Sequence, residues 1–315
     1  MLRYLSVRLG HSGLVLVMLS LVTFTLLHLA PGGPAILMGT DISPDEAARM
    51  RANLGLDQPL YVQYAKWASA MLQGNFGRSF TDGRPVTELV AQRLPNTLLL
   101  SGSALMLALV FGVSGGVAAA LVRGSALDRL VMLFAVIGES VPVFWLAILT
   151  ILLFAVQLHV LPSSGMRTLS SNESVWDLLQ HLILPSLVLS TLPMAQLARY
   201  SRSGLIGVLG QDFVRTARAK GLPERLVLFR HALRSALIPL VTVVGLALPV
   251  LVSGAAITET IFGWPGMGRL AVDAALRRDY PLVMGVTITV VAAVIVINLA
   301  IDVVYLYLDP RVKLG

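Results

Sequence analysis

Long stretches without a charged side chain restrict this chain more than any other feature. One lies between Arg8 and Asp41, with its apolar part from Leu9 to Ala30; a second lies between Arg93 and Arg123. A third runs from Leu130 to about Leu161, broken only by Glu139. A fourth lies between Asp177 and Arg199, a fifth between Arg234 and Glu259, and the last from near Leu282 to near Leu308, with Asp302 inside it. A helix crosses a bilayer with about 20 mostly apolar residues. Of 315 residues, 56% are hydrophobic and only 13% charged, more apolar surface than one soluble core hides. The expected fold class is therefore all-α: a polytopic membrane protein with six transmembrane helices, read as a single transmembrane domain over residues 1–315. Arg3 and Arg8 precede an apolar run, as in a signal peptide. That run is too long for an h-region and no A-x-A site follows, so an uncut first helix is expected.

Lys and Arg orient such a bundle. With the N-terminus inside, inner segments hold 14 of them and outer segments 10, six of those in the one long loop of residues 31–95. Long loops weigh little, and short loops alone give 14 against 4, so both termini are expected in the cytoplasm. The net charge of +7 is then mostly topological. A nucleic-acid partner would need base-stacking aromatics beside the basic residues. The inner loops offer only Phe213, Phe229 and the membrane-edge Tyr200, so no nucleic acid is expected, and the partner surface is the lipid bilayer.

The chain has no cysteine, which removes disulfides and thiolate chemistry. The dipeptide Gly-Lys never occurs, so no P-loop can hold a nucleotide. The five histidines at 11, 28, 159, 181 and 231 show no metal spacing, and no G-x-S-x-G elbow is present. No catalytic residue, metal ligand or cofactor is expected.

Residues 31–95 are too long for a mere connection. A helix is expected over Leu60 to Leu72, with Tyr61, Tyr64, Ala65, Ala68 and Leu72 near one face, Pro59 before it and Gly74 after it. It reads as a lid on the outer surface, with a docking surface for an external partner as the alternative. Charged groups inside membranes are costly and usually functional. Glu139, followed by Ser140 and Pro142, sits where the proline frees the Gly138 carbonyl and bends the helix. Glu139 either meets a cationic substrate along the pathway or holds a helix contact. Asp302 falls four residues after Asn298, on one face, as a structural polar contact. Proton-coupled carriers usually show a relay of several such groups, so a single mid-membrane carboxylate is thin evidence for one, and a proton-coupled secondary transporter stands as the alternative class. Gly112 and Gly116 form a G-x-x-x-G, expected to let helices approach closely within the chain.

The most telling segment is residues 212–235, within an inner loop of residues 204–235. It reads as helix, turn, helix. Asp212 is expected to cap the first helix, Gly221 to close it in the left-handed conformation, and Pro223 to open the second with Glu224 in its first turn. Leu226, Phe229, Leu233 and Leu237 recur at helical spacing as one apolar stripe, with Arg225, Arg230 and Arg234 around it. Two readings stand: a basic hairpin resting on anionic lipid, or a helix fitting a groove on a cytoplasmic partner.

Arg215, Thr216, Ala217, Arg218, Ala219, Lys220 and Gly221 together resemble the EAA loop of bacterial ABC importer permeases, in the form used by the peptide and nickel subgroup. The general pattern is E-A-A-x3-G-x9-I-x-L-P. Gly221 matches its glycine, Ala217 its second alanine and Leu233 its leucine. Arg215 stands in place of the Glu, and His231 and Arg234 in place of the Ile and Pro; R-T-A-R-A-K-G and H-A-L-R are similar to the subgroup's own form. Further matches follow in order: L-H-L-A-P-G from Leu27, L-G-L-D-Q-P-L-Y from Leu54, Phe76-Gly77, Ser79-Phe80, R-L-P-N-T from Arg93, and P-V-F-W from Pro142. Then come L-P-S-S-G from Leu161, H-L-I-L-P from His181, E-T-I-F-G-W-P-G-M-G from Glu259, R-D-Y-P from Arg278 and L-D-P-R from Leu308. Glu139 departs from the subgroup, which usually has a small or neutral residue there.

The resemblance implies one of two permeases in an ATP-driven, type I-like importer of the bacterial inner membrane. It implies a second related permease, two cytoplasmic ATPases that hydrolyse ATP, and an external binding protein. Di- or oligopeptides, or nickel and metal chelates, would be the cargo. Residues 212–235 would be the coupling element, seated in an ATPase cleft. Glu259, Trp264, Pro265 and Gly266 are expected to border the external gate, the alternative being an interfacial Trp anchor with ordinary turn residues.

Overall fold

The computed structural model describes residues 2–29, 33–34, 43–168 and 174–308. The motif residues Ala30 to Gly32 and Asp309 to Arg311, and Lys313, lie outside these. In chain order the helices are α1 Leu2–Leu29, α2 Pro44–Asn53, α3 Leu60–Leu72, α4 Val86–Leu107, α5 Ser114–Leu121, α6 Ala126–Ser140 and α7 Val143–Thr150. They continue with α8 Val175–Leu209, α9 Asp212–Ala219, the single turn α10 Glu224–Leu226, α11 Leu233–Ile261, α12 Met267–Leu276 and α13 Tyr280–Leu308. Wider π-helical turns join α4 to α5 over Ala108–Val113, extend α7 over Ile151–Gln157 and join α10 to α11 over Val227–Ala232. Among the described residues the only strand-like pairing is one isolated antiparallel bridge between Arg78 and Pro85.

Four helical stretches are long and apolar enough to cross a membrane: Val7–Leu29, Val86–Leu121, Val175–Leu209 and Tyr280–Val303. Counting each of two bent pairs as one span, Ala126–Ser140 with Val143–Gln157 and Glu224–Leu237 with Leu240–Pro249, gives the expected six. Pro142 does more than bend its helix. The chain turns by 108° between α6 and α7, because the proline offers no N–H to the preceding turn. Pro239 falls at the second bend.

The chain packs as two compact units, residues 1–97 with 265–299 and residues 98–264 with 300–313. In the first, α3 lies on α1. The Tyr64 and Ser20 hydroxyls are 2.8 Å apart, His28 Nε2 meets Gln63 Oε1 at 3.1 Å, and Phe24 packs against the Tyr64 and Trp67 rings. The packed face therefore runs through Gln63, Tyr64 and Trp67. The expected stripe is corrected, since Tyr61, Ala65 and Leu72 are exposed: a thirteen-residue helix in a polar loop buries too little for apolar spacing to mark its face. The sequence reading also passed over α2. Ser43 caps it with Glu46 in a reciprocal capping box, Pro44 stands at its first position, and the Ser43 backbone N–H and hydroxyl hold the Glu46 carboxyl below its ordinary pKa.

In the second unit α8 is the spine. Its 35 residues make it about 50 Å long, and its Leu184, Val188, Leu197 and Leu205 side chains are buried. Gly112 and Gly116 let the α4–α5 span press onto it. A β-carbon on Gly112 would lie 2.7 Å from the Met194 carbonyl oxygen, and one on Gly116 2.3 Å from that of Ala198. The +4 step on both helices matches, which is intrachain ridge-to-groove packing.

Candidate functional site

The inner-loop hairpin grows out of the end of α8. Gln211 occupies the N-cap position of α9 with extended backbone and no side-chain cap bond. Asp212 is the first helical residue instead of the expected cap; its backbone carbonyl accepts from the Thr216 hydroxyl at 2.9 Å. Gly221 has φ +75°, the left-handed conformation that ends a helix at little cost only for glycine. Pro223 caps α10 with extended backbone, and Glu224 is in its first turn. The turn is closed by a bidentate pair: Arg218 Nε donates to Glu224 Oε2 at 3.1 Å and Nη2 to Oε1 at 2.6 Å. Those bonds raise the Arg218 pKa above its ordinary value.

One face of the hairpin is welded to the second unit. Val214 and Ala217 of α9, Val227, Leu228 and Ala232 of the π turn and Ala236 of α11 pack with Ala120, Leu205 and Val208 at the ends of α5 and α8. The expected stripe of Leu226, Phe229, Leu233 and Leu237 is corrected here. The π-helical turn holds more residues per turn than an α-helix, so the buried set steps from 227 and 228 to 232 to 236. Leu226, Leu233 and Leu237 are half-buried, and Phe229 is 64% exposed.

The opposite face is open. Arg215, Thr216, Arg218, Ala219, Lys220, Gly221, Arg225 and Arg230 are exposed, as are the rings of Phe213 and Phe229. Phe213 was missed as a site residue. Its signal is that α9 carries apolar residues at 213, 214 and 217 but buries only the last two. The open face thus carries a cationic rim and two uncovered aromatic rings, side chains of the kind that anchor protein–protein contacts.

Two ion pairs tie α6 to α8. Arg202 Nε and Nη2 donate to Asp128 Oδ1 and Oδ2 at 2.5 and 2.8 Å, and Gly124 N–H donates to Oδ2 at 2.9 Å. Neither residue was singled out in the sequence. Glu139, in the last turn of α6, accepts from Arg199 Nη1. Ser140 is exposed, and its hydroxyl donates to the Val136 carbonyl at 2.7 Å.

The resemblance motifs meet in pairs within the first unit. Asn96 Nδ2 donates to the Pro265 carbonyl at 2.8 Å, and the Thr97 hydroxyl accepts the Met267 N–H at 2.7 Å, satisfying one of the first free donors of α12. Asp279 Oδ1 accepts the Leu282 N–H at 3.2 Å in the first turn of α13. Its other oxygen accepts from the Ser79 hydroxyl at 2.5 Å and the Thr81 N–H at 3.1 Å. The border between the units falls between Trp264 and Pro265. On the second unit's side, Glu259 and Trp264 are fully buried, Trp264 against Leu100, Leu182 and Leu251. An interfacial Trp anchor is excluded by that burial. Among the described residues no cluster of His, Asp or Glu suits a metal ion.

A family model described as the binding-protein-dependent transport system inner membrane component matches residues 112–314, and the N-terminal model of the same system matches residues 1–101. The oligopeptide transport system permease protein AppB of Bacillus subtilis is 42% identical over 95% of both chains. The di/tripeptide permease DppB of Pseudomonas aeruginosa is 42% identical over 99% of both, and the dipeptide permease DppB of Escherichia coli 38% over 99% of both. An inward-facing MetNI methionine ABC transporter structure, 20% identical, superposes with a TM-score of 0.55 over 71% of this chain and 97% of that one, a likeness of fold.

Proposed function

The chain belongs to the family of binding-protein-dependent transport system inner membrane components, and from that premise we propose that it is one of two permeases in an ATP-driven importer of di- or oligopeptides. The observation that carries the mechanism is the hairpin of residues 212–235. It is fastened to α5 and α8 on one side and uncovered, basic and aromatic on the other. Its outer face seats in a cleft of a cytoplasmic ATPase subunit. Through its buried face the hairpin passes the closure of two ATPases on ATP to α5 and α8, switching the permease between inward- and outward-open states. Hydrolysis belongs to those ATPases, because this chain has no P-loop. Two ATPases, a second related permease and an extracytoplasmic binding protein complete the assembly, and the termini face the cytoplasm.

Peptide cargo rests on the relatives' names: permeases for oligopeptides, di/tripeptides and dipeptides at about 40% identity over nearly the whole chain. The segment holding Glu259, Trp264, Pro265 and Gly266 borders the external gate, and the buried Trp264 makes it a fixed edge. Glu139 and Ser140 belong to the substrate pathway. The test is uptake of labelled di- and tripeptides by the complete transporter in proteoliposomes. Uptake that needs ATP and the ATPase subunits is expected. Uptake that ignores ATP and collapses with an uncoupler would instead make the chain a secondary carrier.

A further inference from the structure

The two ion pairs between α6 and α8 are built differently. Asp128 and Arg202 engage each other with two bonds, the aspartate is buried, and the Gly124 N–H takes up more of its capacity. That pair is a clamp with little left to offer. Arg199 and Glu139 share one bond only, from Nη1 to Oε2. Among the described residues, Arg199 Nε and Nη2 and Glu139 Oε1 have no further hydrogen-bond partner. The side chains are 52% and 26% exposed.

Their position makes that exposure informative. Arg199 closes the uncharged stretch of α8 that begins after Asp177, and its guanidinium reaches Glu139, which lies inside the apolar run from Leu130 to about Leu161. Glu139 is the last residue but one of α6, just before the 108° break. A carboxylate inside an apolar run does not face lipid; it faces a water-lined route or another protein surface. On the Arg199 side opens a recess of about 270 Å³ lined by Met132, Arg199, Tyr200, Arg202 and Ser203. A lone Glu139 would favour cationic cargo. Paired with Arg199 it presents one acceptor and one cation with unused valence side by side.

Resting on the peptide reading above, we propose that Glu139 and Arg199 form an exchange site for the two charged ends of a zwitterionic peptide. The guanidinium fork of Arg199 takes the substrate carboxylate through the donors it does not spend on Glu139, as such forks do with planar carboxylates. Glu139 takes the substrate ammonium. The internal pair opens as the substrate's charges replace its own, so neither charge is left without a partner within the membrane. Once the cargo leaves, the pair re-forms.

The experiment uses the complete transporter in proteoliposomes and four forms of one tripeptide: free, N-acetylated, C-amidated and doubly capped. Each variant is read as its uptake relative to wild type for the same substrate, which cancels the preference of the binding protein. Glu139→Gln is expected to lower uptake of the free and amidated forms, which keep the ammonium, by about three- to fivefold, the scale of a part-exposed charge pair, and to spare the acetylated form. Arg199→Gln is expected to lower the free and acetylated forms, which keep the carboxylate, and to spare the amidated one. Should Arg199→Gln not reach the membrane, Glu139→Gln alone still decides through its amidated-to-acetylated ratio. Equal factors for all four forms would make the pair a helix fastener and overturn the site while leaving the peptide reading intact. Wild-type transporter that takes up no form of the peptide would overturn both.

Discussion

At Gly116 a side chain has nowhere to go. Its β-carbon would sit 2.3 Å from a backbone oxygen of α8, and backbone inside a packed helix pair cannot step aside. Gly116→Val is expected to cost about 1–3 kcal/mol through overpacking, read as a lower thermal midpoint of the purified protein; an unchanged midpoint would contradict the close approach. Asp279 is the counterpart in the first unit. It is buried, and it bonds the start of α13 with one oxygen and the segment at Ser79 and Thr81 with the other. Asp279→Asn is expected to lose about 1–3 kcal/mol of local stability and to open residues 76–85 to limited proteolysis, with α13 still resistant. Sequence pattern revealed Gly112, Gly116 and Glu139, because small residues at +4 and a carboxylate in an apolar run stand out. It hid Asp128, Arg199 and Arg202. Those charges sit near span ends, where basic residues are expected for topological reasons, and only the fold shows that each is paired.

The hairpin shows what is legible in an element and what is not. Gly221 and Pro223 announced the turn, since each has a backbone that its position requires. The start of α9 lies one residue earlier than the sequence suggests, because aspartate suits both the cap and the first turn of a helix and only the backbone tells which Asp212 occupies. The buried face of the second helix was misread because a π-helical turn breaks the 3.6-residue period, and the residues of 227–232 carry no pattern that announces it. That turn leaves Phe229 uncovered. Phe229→Ala removes a ring that packs on little of its own chain, so membrane insertion and fold should persist while ATP-dependent uptake falls; loss of folded protein would make the ring structural. Gly221→Pro asks for φ near −65° where the chain holds +75°. Normal membrane levels with transport lost are expected, and normal uptake by that variant would contradict the hairpin's role.

At the scale of the molecule, six apolar stretches match the number of spans once each bent pair counts as one, and the absence of a P-loop motif points to an external source of energy. What no stretch disclosed was the division of the chain into two compact units, since it arises from which motifs pair: R-L-P-N-T with the residues after Trp264, and Ser79 with R-D-Y-P. The chain has no cysteine of its own, so single cysteines can be placed without background. In the complete transporter, Lys220→Cys and Phe213→Cys on the open hairpin face are the most direct probes of coupling, with Leu72→Cys in the long loop as the comparison. The expected result is a cross-link from 213 and 220 to the ATPase subunit, with a yield that changes between nucleotide-free and ATP-bound states, and none from 72. Hairpin cysteines that instead react with a membrane-impermeant reagent added outside, or that never link to the ATPase in any nucleotide state, would contradict it.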